Sequence, residues 1–367
     1  MKLYEAITLG NVPLRNRFVM APMTTYSGRD DFHVSNEELA YYEARSKTLG
    51  LVITAATSIN EQAQAFSKQI SLKNDAFIPS MQVLARVIQK QGAKAVVQLH
   101  HGGRMNEPSL YEDKAYIVSA SAVKAPRDSL AQPRALETEE VKQTINDFVK
   151  ATERAIKAGF DGVELHGANT YLLQQFFSPH SNRRKDAYGG TLKKRMQFAI
   201  ELIEKTKACI DKHAKRPFML GYRFSPEELE TPGITIEDTM AFVKKLKTLP
   251  LDYLHISLGH YKQSSIRDVK DKTPLVEKIQ SALNHEIPLI GVGQIESLED
   301  AKDALTSGYD LVAAGMPLIA DPNWVETIKT SKPNKLVKPD TLPKPLFDRL
   351  YKNRQRFAAH GYHFELE

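Results

Sequence analysis

The chain has 367 residues, 42% hydrophobic and 26% charged, and its formal net charge of +6 is scattered among acidic neighbours. These proportions fit a globular protein with a sizeable core, exclude disordered and collagen-like classes, and give little support to nucleic-acid binding. No apolar stretch approaches the roughly 18 residues that cross a bilayer and the first ten residues lack a secretory apolar segment, so a cytoplasmic, non-membrane protein is expected.

Residues 1–17 read as a short hairpin, "AITLGNVPLRN", placed to plug the floor of a barrel. From there, short β-branched or apolar runs alternate with stretches of helical periodicity, the pattern of repeated βα units. Eight strands are predicted: Phe18 to Ala21, Leu51 to Ala55, Ala95 to Leu99, Gly162 to His166, Phe218 to Phe224, Tyr253 to Ser257, Pro288 to Val292, and Leu311 to Ala314. Eight such units close into a single (β/α)8 TIM barrel, an α/β fold.

The helix after Thr138 carries Val141, Ile145, Phe148, Val149 and Ile156 on one face and stops at Gly159. Capping boxes are expected at Ser35 with Glu38, Thr235 with Asp238 and Ser297 with Asp300. The single cysteine, Cys209, excludes a disulfide framework or a cysteine-built metal centre within one chain and reads as a buried helix residue.

Two connections are unusually long, residues 100–137 and 167–190, and both follow strand C-termini, where substrate loops belong. The barrel is expected to span residues 1–331. Residues 332–367 form a Pro- and Lys-rich tail packing on the barrel or on a neighbouring subunit of a homo-oligomer. Its Arg349, Arg354 and Arg356 read first as a solvated basic helix, with reach into a neighbour's site as the alternative.

Chemistry in such a barrel gathers at the strand C-termini. Those positions hold Ala21-Pro22-Met23-Thr24, Ala56, Gln98 with His100 and His101, His166 with Asn169, Arg223, Ser257 to Gly259, Gly293 and Gly315. No strand carries a lysine for Schiff-base chemistry, and the first strand lacks the His-x-His of a binuclear metal hydrolase, so no metal is expected. Gly293 and Gly315 suit a phosphate cradled by backbone N–H groups. His166 and Asn169 offer two neutral donors that polarise a carbonyl, Tyr171 a phenolic proton donor, and Arg223 a fixed positive charge for an anionic ring.

The segments "NRFVMAPMTTYS", "VVQLHHGGR", "GFDGVELHGANTYLLQQFFSPHSNRRKDAYGG" and "GYDLVAAGMPLIADP", in that order, resemble the Old Yellow Enzyme family of flavin oxidoreductases from about residue 5 to residue 330. The resemblance implies FMN at the barrel mouth, reduced by NADH or NADPH and reoxidised by a small electrophilic acceptor: an activated alkene such as an enone, a quinone, a nitro compound or oxygen. It implies that Ala21, Pro22, Met23 and Thr24 lie along the flavin, that Ala56 packs by the ring, that Gln98 bonds its pyrimidine edge and that Arg223 approaches N1. By the same resemblance, His166 and Asn169 anchor the substrate carbonyl or a phenolate, Tyr171 protonates the substrate, and Tyr26 contacts it.

The chain departs from the family where Gly-Arg usually follows the eighth strand: here Gly315 is followed by Met316. The arginine that reaches the FMN phosphate is therefore missing at that position. The expectation is that Gly293 and Gly315 still hold the phosphate with lower affinity and that Met316→Arg binds FMN more tightly. The alternative to an enzyme is a flavin-binding redox sensor with little turnover, which would not need Tyr171, His166 and Asn169 together.

Overall fold

A computed structural model describes residues 2–365. Eight parallel strands form its centre: β1 (Phe18–Met20), β2 (Leu51–Ile53), β3 (Lys94–His100), β4 (Gly162–Gly167), β5 (Met219–Phe224), β6 (Tyr253–Ile256), β7 (Leu289–Val292) and β8 (Leu311–Ala314). Each pairs with its sequence neighbour and β8 pairs with β1, so the sheet closes into a barrel. All eight predicted strands are present, and the α/β TIM-barrel expectation holds.

Alternate residues along each strand face opposite ways. One set, including Val19, Leu51, Ile53, Val96, Met219, Tyr253, Ile290 and Leu311, fills the barrel interior. Leu9, Val12 and Leu14 of the N-terminal hairpin (Ile7–Leu9 with Val12–Leu14, antiparallel) join that cluster and stopper one end. Gly221 faces inward because nothing larger fits: a Cβ there would lie 2.1 Å from the Tyr253 ring.

The outward-facing set packs against the helical layer, whose main members are α1 (Asn36–Arg45), α2 (Ile78–Lys90), α3 (Thr138–Lys157), α4 (Gln197–His213), α5 (Ile236–Leu246), α6 (Leu275–Leu283), α7 (Leu298–Thr306) and α8 (Trp324–Thr330). Ser35, Thr235 and Ser297 all cap their helices through the side-chain oxygen. Only Ser297 with Asp300 closes the reciprocal box among these three; Glu38 turns its carboxylate inward to the Thr25 hydroxyl at 2.8 Å instead. α3 carries a reciprocal box of its own, Glu137 with Glu140, which was not read from the sequence. Cys209 is buried on α4, its thiol directed at the Val149 carbonyl.

The two long connections bind each other. Arg184 donates to the carbonyls of Ala120 (2.9 Å) and Leu136 and pairs with Asp186 at 2.6 Å, while Thr138 also donates to Asp186. Gln175, on a short helix at Leu172–Phe177, accepts from Ser119 at 2.9 Å and donates to Gly102 and Thr170 carbonyls at 3.1 and 2.7 Å.

Beyond α8 the chain pairs Leu336–Val337 in parallel with His363–Phe364. Between these lie helices Lys344–Lys352 and Arg354–Ala358. Tyr362 donates to Glu296 at 3.1 Å, which fixes the returning segment beside the barrel mouth. Among the described residues no helix is long and apolar enough to cross a membrane.

Candidate active site

His166 is the last inward-facing residue of β4, and the chain then turns sharply through Asn169 (φ 57°) and Thr170 (φ 68°), a left-handed pair costly for residues other than glycine. The turn is held by Ser225, whose hydroxyl accepts from the Asn169 N–H at 2.9 Å, and by Ser257, which donates to Asn169 Oδ1 at 2.9 Å. This fixes the amide: Asn169 Nδ2 points back toward His166 Nε2, 3.4 Å away. Tyr171 follows with its ring centroid 5.0 Å from that of His166 and 4.4 Å from that of His100. The expected catalytic group, Tyr171, His166 and Asn169, is therefore gathered at one mouth.

Burial dominates its electrostatics. The His166 pKa is driven well below its ordinary value by desolvation, reinforced by His100, Arg223 and His255, so the imidazole is neutral. Desolvation, with the neighbouring Tyr26, raises the Tyr171 phenol, which keeps its proton at neutral pH. His166 Nδ1 is buried without a partner among the described residues.

Below these groups lies a polar layer inside the barrel. Gln98 Nε2 donates to Glu164 Oε1 at 2.8 Å, and His255 Nδ1 meets Glu164 Oε2 at 2.9 Å, with both members of the latter pair fully buried. Arg223 gives one guanidinium N–H to Ser257 Oγ at 3.2 Å, while its Nε is buried with no partner among the described residues. Against desolvation, His255 and then the Arg223 charge hold the Glu164 carboxyl below the usual range.

The remaining predicted residues rim the same opening. Ala21 follows β1 and is buried, followed by half-buried Pro22, Met23 and Thr24, and Ala56 is buried beyond β2. Tyr26 (φ 55°) lies edge-on to Phe66, whose ring also meets those of His100 and Tyr171. Arg349 of the tail stands over the Tyr26 ring at 4.2 Å. Arg349 is exposed, as a basic surface helix requires, and its guanidinium also stacks on its own chain's Tyr26. Gly293, Gly315 and Met316 line a cavity beyond β7 and β8.

Phe66, Glu164, His255 and a role for His100 were not assigned from sequence. Glu164 and His255 had a readable signal, being charged or polar residues at inward positions of otherwise apolar strands, with Glu164 on the face shared by His166. Phe66 reaches the mouth from a distant segment and had none.

The chain matches the NADH:flavin oxidoreductase / NADH oxidase family over residues 2–335. It is 42% identical over 356 residues to an NADH:fumarate oxidoreductase of Klebsiella pneumoniae, covering 94% of this chain and 38% of that protein. A similar match, 43% over 323 residues and 32% of the relative's length, is to an NADH:acrylate oxidoreductase of Vibrio harveyi, so the chain spans about a third of both of these relatives. It is also 41% identical to a probable NADH-dependent flavin oxidoreductase of Bacillus subtilis, across 91% of this chain and 89% of that one. Among solved structures it resembles the Old Yellow Enzyme homologue of Zymomonas mobilis (26% identity, TM-score 0.78, 93% and 96% of the two chains) and morphinone reductase (27%, 0.79, 92% of each). The fold and site define an FMN-type (β/α)8 oxidoreductase. The chain belongs to the NADH:flavin oxidoreductase / NADH oxidase family, whose cofactor is FMN.

The mouth fits that cofactor. The partnerless Arg223 Nε, the Gln98 amide oriented by Glu164, and the bare backbone at Gly293 (φ 117°), where a Cβ would strike the Leu258–His260 backbone at 2.7 to 2.9 Å, match an anionic ring system ending in a phosphate.

Proposed function

We propose that this chain takes hydride from NADH or NADPH and passes it to activated alkenes such as enones, with quinones and related electrophiles as further acceptors. FMN, when bound, supplies the carrier that accepts hydride from the nicotinamide and returns it to the acceptor. Gln98 and Arg223 would hold the ring's pyrimidine side, Ala21 to Thr24 and Ala56 would flank it, and Gly293, Gly315 and Met316 would surround the phosphate end.

The observation that carries the reading is the trio at the β4 terminus. Neutral His166 and the amide of Asn169, 3.4 Å apart, converge as donors on one acceptor oxygen, withdrawing electron density from a conjugated double bond. Tyr171, a phenol whose pKa burial raises further, stands beside them to deliver a proton to the adjacent carbon. Tyr26 and Phe66 close the sides of this pocket.

The test is an absorbance spectrum of purified protein, recorded before and after anaerobic NADH or NADPH and again after 2-cyclohexenone. A flavin spectrum bleached by a nucleotide and restored by the enone is expected. Protein that neither carries nor takes up FMN, or whose flavin never bleaches, would overturn the reading.

A further inference from the structure

The C-terminal tail bears on the position where Met316 replaces an arginine. A cavity of ≈ 210 Å³ opens past β7 and β8, where (β/α)8 barrels commonly bind phosphate. One side is backbone: among the described residues the N–H groups of Gly293, Gln294 and Gly315 donate to no backbone carbonyl. The other side is the tail, which contributes Arg356, Phe357 and His360.

That side is held in place. Tyr362 is buried and bonded to Glu296, Lys335 pairs with Glu296 and donates to the His360 carbonyl at 2.8 Å, and the His363–Phe364 strand is paired. Phe357 packs against the core and meets the Phe364 ring at 6.2 Å. These bonds also engage Glu296, the carboxylate in the lining, with a lysine and a phenol. The Arg356 guanidinium, by contrast, enters no hydrogen bond or ion pair among the described residues.

We infer that Arg356, carried on the chain's own tail, is the charged clamp for the phosphate of FMN, replacing the arginine that Met316 displaces. The inference rests on the FMN reading above. An exposed, unengaged arginine lining a small cavity together with uncommitted backbone N–H groups is the donor set that a phosphate dianion selects. A flavin lacking the phosphate makes no use of it.

The full chain and its Arg356→Ala variant are titrated with FMN and, separately, with riboflavin, following quenching of flavin fluorescence. The expected result is a rise in the FMN Kd of roughly ten-fold or more, the size of a lost charge-assisted bond, with the riboflavin Kd within about two-fold of the parent. Met316→Arg in the Arg356→Ala background is expected to recover most of the FMN loss, and Arg356→Lys part of it. An unchanged FMN Kd would overturn the inference, as would equal weakening of both flavins, which would make Arg356 only a packing residue of the tail. A parent chain that binds neither flavin would remove the cofactor reading itself.

Discussion

At the scale of single residues, burial favours the neutral forms of His166 and Tyr171. Tyr171 carries its proton at neutral pH as a phenol does, burial raises its pKa further, and its removal separates two half-reactions. Tyr171→Phe is expected to slow enone reduction by the order of 10²–10⁴ while leaving flavin reduction by the nucleotide within a few-fold, read by stopped-flow absorbance. Loss of both rates in parallel would argue against its role as proton donor. Glu38 shows the same force without catalysis: buried, with one oxygen bonded to Thr25 and the other unpartnered, its carboxyl is pushed up to about 7. A folded pKa above the unfolded value of 4.5 means that its contribution is intact below pH 4.5 and is lost as pH rises through about 7. Glu38→Gln is therefore expected to match the parent near pH 4.5 and to exceed it by on the order of 1–3 kcal/mol at pH 8 in urea unfolding.

Among the elements, the strands were legible because apolar residues on both faces of a short run, bounded by turn residues, have few other readings. Helix starts were legible as caps, but not the choice Glu38 makes between Ser35 and Thr25, since Thr25 approaches it only in the folded chain. The site divides the same way. His166, Asn169 and Tyr171 lie within six residues and follow one strand, so local pattern reveals them, whereas Phe66, His255 and Arg349 meet them only through closure of the barrel and return of the tail. The run "SNRRKDAYGG", which carries much of the family resemblance, is a latch: Asn182 donates to the carbonyls of Phe176 and Tyr188, and Arg184 ties this loop to residues 120 and 136. Arg184→Ala removes the guanidinium from Asp186, which keeps the Thr138 hydroxyl and the Tyr188 N–H, and leaves two buried carbonyls without their donor. It is expected to cost about 2–4 kcal/mol and to loosen both loops, seen as a lower Tm and faster hydrogen exchange in residues 118–136 and 172–188.

For the whole molecule, the hairpin decides how the barrel meets solvent. Leu9, Val12 and Leu14 complete the apolar packing at the floor, and the polar layer of Gln98, Glu164 and His255 is sealed above them. A barrel stoppered in this way has one door. For the proposed chemistry, donor and acceptor must then enter by the same opening in turn, each leaving before the other arrives. Initial-rate plots at several acceptor concentrations should run parallel, and a large excess of nicotinamide nucleotide should slow turnover by occupying the doorway the acceptor needs.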